Sequence, residues 1–127
     1  MKKVILTKQA PAPIGPYSQA IESGPFLFCS GQIPIDPSSG QVFTGDLKAQ
    51  TELVMKNVEA VLKEAGLSFK HVVKTTIFLT NMNDFATVNE VYGKYFSEQP
   101  PARSTVAVAG LPKGVNVEVE VIAARGA

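Results

Sequence analysis

Arg103, Glu118 and Glu120 are the residues of this chain best placed by type and spacing to do chemistry. They lie in two runs of alternating character, Pro100–Val108 and Val115–Val121. Such alternation reads as two strands, each with one face unlike the other. The loop between them, Ala109-Gly110-Leu111-Pro112-Lys113-Gly114, is punctuated by Gly and Pro and long enough for a hairpin. With Val108 opposite Val115, Arg103 falls opposite Glu120 and Thr105 opposite Glu118. Directly opposed residues share a face, so this register predicts Arg103, Thr105, Asn116, Glu118 and Glu120 on one side. A slip by one residue would set Arg103 among the valines, which a buried face opposes. A guanidinium is a planar fork that grips a carboxylate by two parallel hydrogen bonds. A glutamate partly shielded from water can hold or deprotonate a water molecule. Together they suggest a site where water attacks a small anionic substrate. The same residues also read as a cross-strand ion pair on a solvated face, contributing roughly 0.2–1 kcal/mol.

Other candidates are more ambiguous. Three prolines within Ala10–Pro16 forbid a helix and predict an extended loop of fixed shape that delivers Tyr17 to a defined place. The Tyr17 hydroxyl either stays wet or points into a ligand site. Ser30-Gly31-Gln32 ends a strand, and Gly31 either permits close approach of a ligand or marks a bulge. Asn89 falls near the inward stripe of a helix, as a structural brace or as support for a site. His71, the only histidine, opens an apolar run and reads as a strand-edge surface residue. Cys29, the only cysteine, reads as a small buried residue.

Composition narrows the field. A chain of 127 residues, 45% apolar and 18% charged, predicts one ordinary globular domain over residues 1–127. A net charge of +1 supplies no field for nucleic acid or an anionic membrane. One cysteine excludes an internal disulfide and a cysteine zinc cluster, and one histidine excludes a two-histidine ribonuclease mechanism within the chain. No histidine-rich metal site is expected, and no nucleotide-phosphate cradle motif is present. The N-terminal apolar run is too short for a signal peptide. A cytoplasmic protein is expected.

The positioning elements follow from periodicity. Short strands are predicted at Lys3–Leu6, Tyr17–Glu22 and Phe26–Ser30, the last two joined through Ser23-Gly24-Pro25. Asp46 caps a helix to about Ala65, with Gly66 as its stop and Leu47, Val54, Val58, Val61, Leu62 and Ala65 inward. His71–Leu79 is β-branched enough for a central strand. A second helix starts at Asn81 or Asn83, with Phe85, Val88, Tyr92, Tyr95 and Phe96 inward, and Pro100-Pro101 ends it. The order β-β-β-α-β-α-β-β predicts an α+β fold, a mixed and largely antiparallel sheet with two helices on one face. The other face is left open and invites oligomerisation.

Several stretches carry a resemblance: Ile14–Ala20 (Ile-Gly-Pro-Tyr-Ser-Gln-Ala), Ser30–Pro34, Asn83–Asn89, Pro101-Ala102-Arg103-Ser104, and Leu111–Gly114 leading to Val117-Glu118-Val119-Glu120. Over nearly the whole chain they resemble the archetypal enamine/imine deaminase branch of the RidA (YjgF) family. The resemblance implies a chorismate-mutase-like fold and a homotrimer with active sites in clefts between subunits. It implies hydrolysis of 2-iminobutanoate and 2-iminopropanoate to 2-oxo acids and ammonia, without metal or organic cofactor, protecting against 2-aminoacrylate. The substrate carboxylate would fall to Arg103 and the attacking water to Glu118, with Tyr17 a further catalytic candidate. Thr105, Ser30, Gly31 and Asn89 would complete the binding site. Thr105 stands where many members have cysteine, and Gly110 where an arginine is common. Some relatives are described as endoribonucleases or translation inhibitors, and a non-catalytic carboxylate-binding module is a further alternative. The deaminase account expects Arg103 and Glu118 to converge on one intersubunit hollow, and it is set to fail if the two side chains lie on opposite sides of the sheet or if no enclosed space lies between protomers.

Overall fold

The computed structural model describes residues 1–126. Six strands form one sheet: β1 (Lys2–Ile5), β2 (Ala20–Ser23), β3 (Phe26–Cys29), β4 (Val72–Leu79), β5 (Ala102–Ala107) and β6 (Val117–Ala124). Their order across the sheet is β1-β2-β3-β6-β4-β5. The helices are α1 (Leu47–Glu64) and α2 (Phe85–Gly93). The fold is α+β, with a mixed, largely antiparallel sheet carrying both helices on one face, as the periodicity predicts.

Local chemistry sets the helix ends. The Asp46 carboxylate accepts the Ala49 N–H at 2.8 Å, satisfying one of the free donors of the first turn. Beyond α1, Gly66 adopts φ +77°, a conformation that costs glycine little. Of the predicted stripe, Val54, Val58, Val61 and Leu62 are almost wholly inaccessible and Ala65 is buried, whereas Leu47 is only partly covered and the unpredicted Thr51 and Met55 are fully buried. Sequence periodicity did not flag Asn57, which is also buried there. Its amide donates to the carbonyls of Ile33 and Ile35 at 3.3 and 3.0 Å, tying that loop to the helix. The second helix is shorter than its pattern. Asn81 caps a 3-10 turn at Met82–Asp84, α2 ends at Gly93, and Tyr95 and Phe96 lie beyond it. Phe96 still packs into the core, but Phe85, predicted inward, is 36% exposed.

The predicted hairpin does not form. β5 pairs in parallel with β4, and β6 pairs with β4 on its other side, antiparallel. Parallel neighbours need a crossover, and α2 supplies it, making β4-α2-β5 the unit that places Arg103. The pairing decides the faces. Thr75 of β4 aligns with Arg103 on one side and Val121 on the other, and Ile77 aligns with Thr105 and Val119. Arg103 and Thr105 therefore share the helix-covered face with Val117, Val119 and Val121, each at most 1% exposed. Phe78 aligns with Val106 and Glu118, and Thr76 with Ser104 and Glu120, so both glutamates project from the opposite face. The expectation that Arg103, Thr105, Glu118 and Glu120 share one face is wrong, and the same-side condition set for the deaminase account is not met within one protomer. Arg103 can sit on the valine side because β5 is an edge strand and α2 meets the guanidinium there.

The open face is apolar over a long stretch. Val4, Ile21, Phe28 and Ile122 align in one row across four strands. Val4, Phe26, Phe28 and Val106 remain 58%, 44%, 45% and 41% exposed. A large exposed apolar patch on a protein surface commonly marks an interaction site. No helix among the described residues is long and apolar enough to cross a membrane.

Candidate active site

The sequence-predicted residues separate into two half-sites on opposite faces of the sheet. On the helix face, Arg103 meets a row of α2 residues spaced at four and then three positions: Phe85, Asn89 and Tyr92. That spacing puts them on one side of a helix. Arg103 Nη1 donates to Asn89 Oδ1 at 2.6 Å. The guanidinium carbon lies 5.4 Å from the Phe85 ring centroid and 5.0 Å from that of Tyr92, within cation–π range. Arg103 makes no ion pair with an acid among the described residues. A braced and unneutralised guanidinium has the geometry to accept a carboxylate. Thr105 lies two residues along the same face, and its hydroxyl oxygen is buried without a hydrogen-bond partner. Asn89 thus braces Arg103 directly. Phe85 and Tyr92 have no clear sequence signal as site residues, because an aromatic stripe on a helix reads first as core.

On the open face, a cavity of about 320 Å³ is lined by residues including Ile14, Tyr17, Ser30, Gly31, Ile35 and Glu118. It brings together Tyr17, Ser30, Gly31 and Glu118 of the predicted set and holds none of Arg103, Thr105 or Asn89. Three segments shape it. The proline-rich loop is clamped by the buried Gln19 amide, which accepts from the Thr7 N–H at 2.7 Å and donates to the carbonyls of Thr7, Ala10 and Pro11. The Ile33–Ile35 wall is held by Asn57. The backbone of Gln32 exchanges hydrogen bonds with Val119 at 2.8 and 3.1 Å, fixing Gly31 beside β6. A Cβ at Gly31 would stand 1.9 Å from Glu118 Oε2. The glycine therefore serves close approach, and what approaches is the glutamate. The Ser30 hydroxyl donates to the Ser18 carbonyl at 2.6 Å. The Tyr17 hydroxyl accepts the Ile14 N–H at 3.3 Å, which leaves its own hydrogen free to donate.

Electrostatics raise the proton affinity of Glu118. Burial first, and then the neighbouring charge of Glu120, raise its carboxyl above the ordinary value of 4.5, and a more basic carboxylate takes a proton from water more readily. Cys29 has no comparable role: burial pushes its thiol up to about 12, far from a thiolate at neutral pH. His71 is partly exposed and bonds back to Ser68 at the start of β4. No group of three or more histidine, cysteine or acidic side chains able to hold a metal ion occurs among the described residues.

Comparison with known proteins adds three kinds of finding. The family model described as Endoribonuclease L-PSP matches residues 7–125. A RutC family protein of Pyrococcus horikoshii is 56% identical, over 97% of this chain and 98% of that protein. The 2-iminobutanoate/2-iminopropanoate deaminase of Mus musculus is 49% identical, over 99% of this chain and 93% of that enzyme. Among solved structures, E. coli TdcF with bound serine superposes with a TM-score of 0.92 at 46% identity, covering 97% of this chain and 98% of that one.

Proposed function

Since the chain belongs to the RidA (YjgF/L-PSP, RutC) family, we propose that it hydrolyses 2-imino acids, 2-iminobutanoate and 2-iminopropanoate among them, to 2-oxo acids and ammonia. The observation that carries this reading is the guanidinium of Arg103, oriented by Asn89 and two aromatic rings yet neutralised by no acid of the described chain. A relative at 49% identity is named for this activity, and one at 46% has been crystallised with serine, an amino acid bearing the same α-carboxylate.

Within one protomer Arg103 and Glu118 cannot meet, because the sheet lies between them. The reading therefore requires a site shared between two copies, Arg103, Thr105 and Asn89 from one and Tyr17, Ser30, Gly31 and Glu118 from the next. A closed ring of three such contacts is the assembly we propose, and the apolar open face supplies surface for it to bury. Arg103 then holds the substrate carboxylate while Glu118 takes a proton from a water that attacks the imine carbon. The new C–O bond forms as the C=N π pair moves to nitrogen. The resulting tetrahedral carbinolamine expels ammonia, with its nitrogen protonated by Glu118 or Tyr17, and leaves the 2-oxo acid. An imine of this kind already hydrolyses in water, so orientation is the main contribution asked of the protein. Such imines arise from dehydratases acting on threonine and serine, and the role proposed is protective, in the cytoplasm.

Subunit complementation tests the shared site. Arg103→Ala and Glu118→Gln chains are each expected to be inactive on freshly generated 2-iminobutanoate. Mixed randomly at equal amounts, they restore about a quarter of wild-type activity, because one interface in four takes both intact residues. No recovery in demonstrably mixed oligomers would defeat the proposal. Binding of 2-oxobutanoate without faster imine loss would instead identify a carboxylate-binding module.

A further inference from the structure

The bracing of Arg103 continues one residue deeper than the site. Tyr92 presents its ring to the guanidinium, and its hydroxyl lies 2.7 Å from the Thr75 hydroxyl. Both residues are buried, Tyr92 at 5% and Thr75 at 0% exposure. Thr75 is also the β4 residue in direct register with Arg103. The contacts close a circuit: Arg103 to the Tyr92 ring, the Tyr92 hydroxyl to Thr75, and Thr75 back through the strand pairing to Arg103. A ring held only by packing can tilt. One also tied at its far end by a buried hydrogen bond has its plane fixed, and a fixed plane sets the angle of a guanidinium stacked on it.

We propose that Tyr92, anchored by Thr75, is a positioning residue that sets the orientation of the Arg103 fork toward the substrate carboxylate. The role rests on the imino-acid reading for its substrate but not for its geometry. A carboxylate held equally in ground and transition states affects KM and leaves kcat alone. Tyr92→Phe, which keeps the ring and loses the tie, is expected to raise KM for 2-iminobutanoate about fivefold, with kcat within about twofold of wild type. Tyr92→Leu, which loses the ring as well, raises KM by more than about tenfold. Thr75→Val alone leaves the tyrosine hydroxyl buried and unpaired. The double variant Thr75→Val/Tyr92→Phe removes both partners and is expected to bind no worse than either single variant.

Two readouts keep this separate from the hydrolytic reading: NMR order of the Arg103 side-chain Nε–H, and the Kd for 2-oxobutanoate. Reduced Arg103 order and weaker 2-oxobutanoate binding in Tyr92→Phe, larger in Tyr92→Leu, support the role. They do so even if the wild type hydrolyses no imine, in which case only the enzymatic reading falls. Arg103 order and Kd unchanged in both variants would overturn it, as would a loss confined to kcat.

Discussion

The two half-sites are built on opposite terms. The Arg103 half is braced by direct contacts: Asn89 takes one guanidinium nitrogen, and two aromatic rings of α2 flank the group. The Glu118 half is an absence bounded by walls. Its carboxylate takes no side-chain hydrogen bond or ion pair among the described residues and lies across a glycine in a half-buried cavity. The first arrangement holds a charge still, and the second raises a proton affinity. Binding wants a fixed cation and base catalysis wants a destabilised anion, so neither half would serve in the other's place.

If the halves differ in this way, substitutions should separate them. The largest effect is expected from Arg103→Ala, which removes the proposed carboxylate clamp. The kcat/KM for freshly generated 2-iminobutanoate should fall by at least about a hundredfold while sedimentation still reports the assembled species. Near-normal turnover would break the assignment of Arg103. Next is Gly31→Ala, whose Cβ would force Glu118 aside. Because the displaced group is the end of a flexible side chain, activity should drop about tenfold or more while the melting temperature moves little. A large loss of stability would mean that Gly31 serves the fold instead.

Glu118→Gln should dissociate function from stability. A carboxyl whose folded pKa is raised contributes stability that is complete below its unfolded value and lost as pH rises through the folded value. At neutral pH the charged, partly dehydrated Glu118 therefore costs stability. The glutamine variant should be inactive yet more resistant to urea at pH 7, with the difference vanishing below about pH 4. Equal urea midpoints at pH 7 would contradict the dehydration described for this half. The smallest effect is expected from Glu120→Gln. Removing the second charge should lower the Glu118 pKa and move the acidic limb of the pH–rate profile to lower pH. A limb that stays in place would show that burial acts alone.

Local rules made much of this legible from sequence. Asp46 and Gly66 bracket α1 as the capping rules predict, and the valines of β6 are buried at the spacing that marked them. The residues brought to the cavity also lie where turn chemistry suggested a defined loop, at Tyr17 and Ser30-Gly31. What failed was long-range pairing. The closeness of Pro100–Val108 and Val115–Val121 in the chain, and the Gly/Pro loop between them, argued for a hairpin, but β4 lies between β5 and β6 and pairs with both. A strand-helix-strand unit competes with a hairpin for the same strand. Alternation alone cannot choose, because it fixes which residues share a face within a strand and not which strand lies alongside. One wrong partner reversed the face of Arg103 and Thr105 relative to Glu118. Gln19 and Asn57 escaped notice because a buried amide shows no pattern until its carbonyl partners are known.

The contact between Gly31 and Glu118 has an evolutionary consequence. The acid occupies space that any β-carbon at position 31 would need, so the two positions are not free to drift independently. A lineage that gains bulk at 31 must shorten or redirect the residue at 118, and with it surrender the proposed base. Within descendants of this chain that keep the acid, position 31 should stay bare.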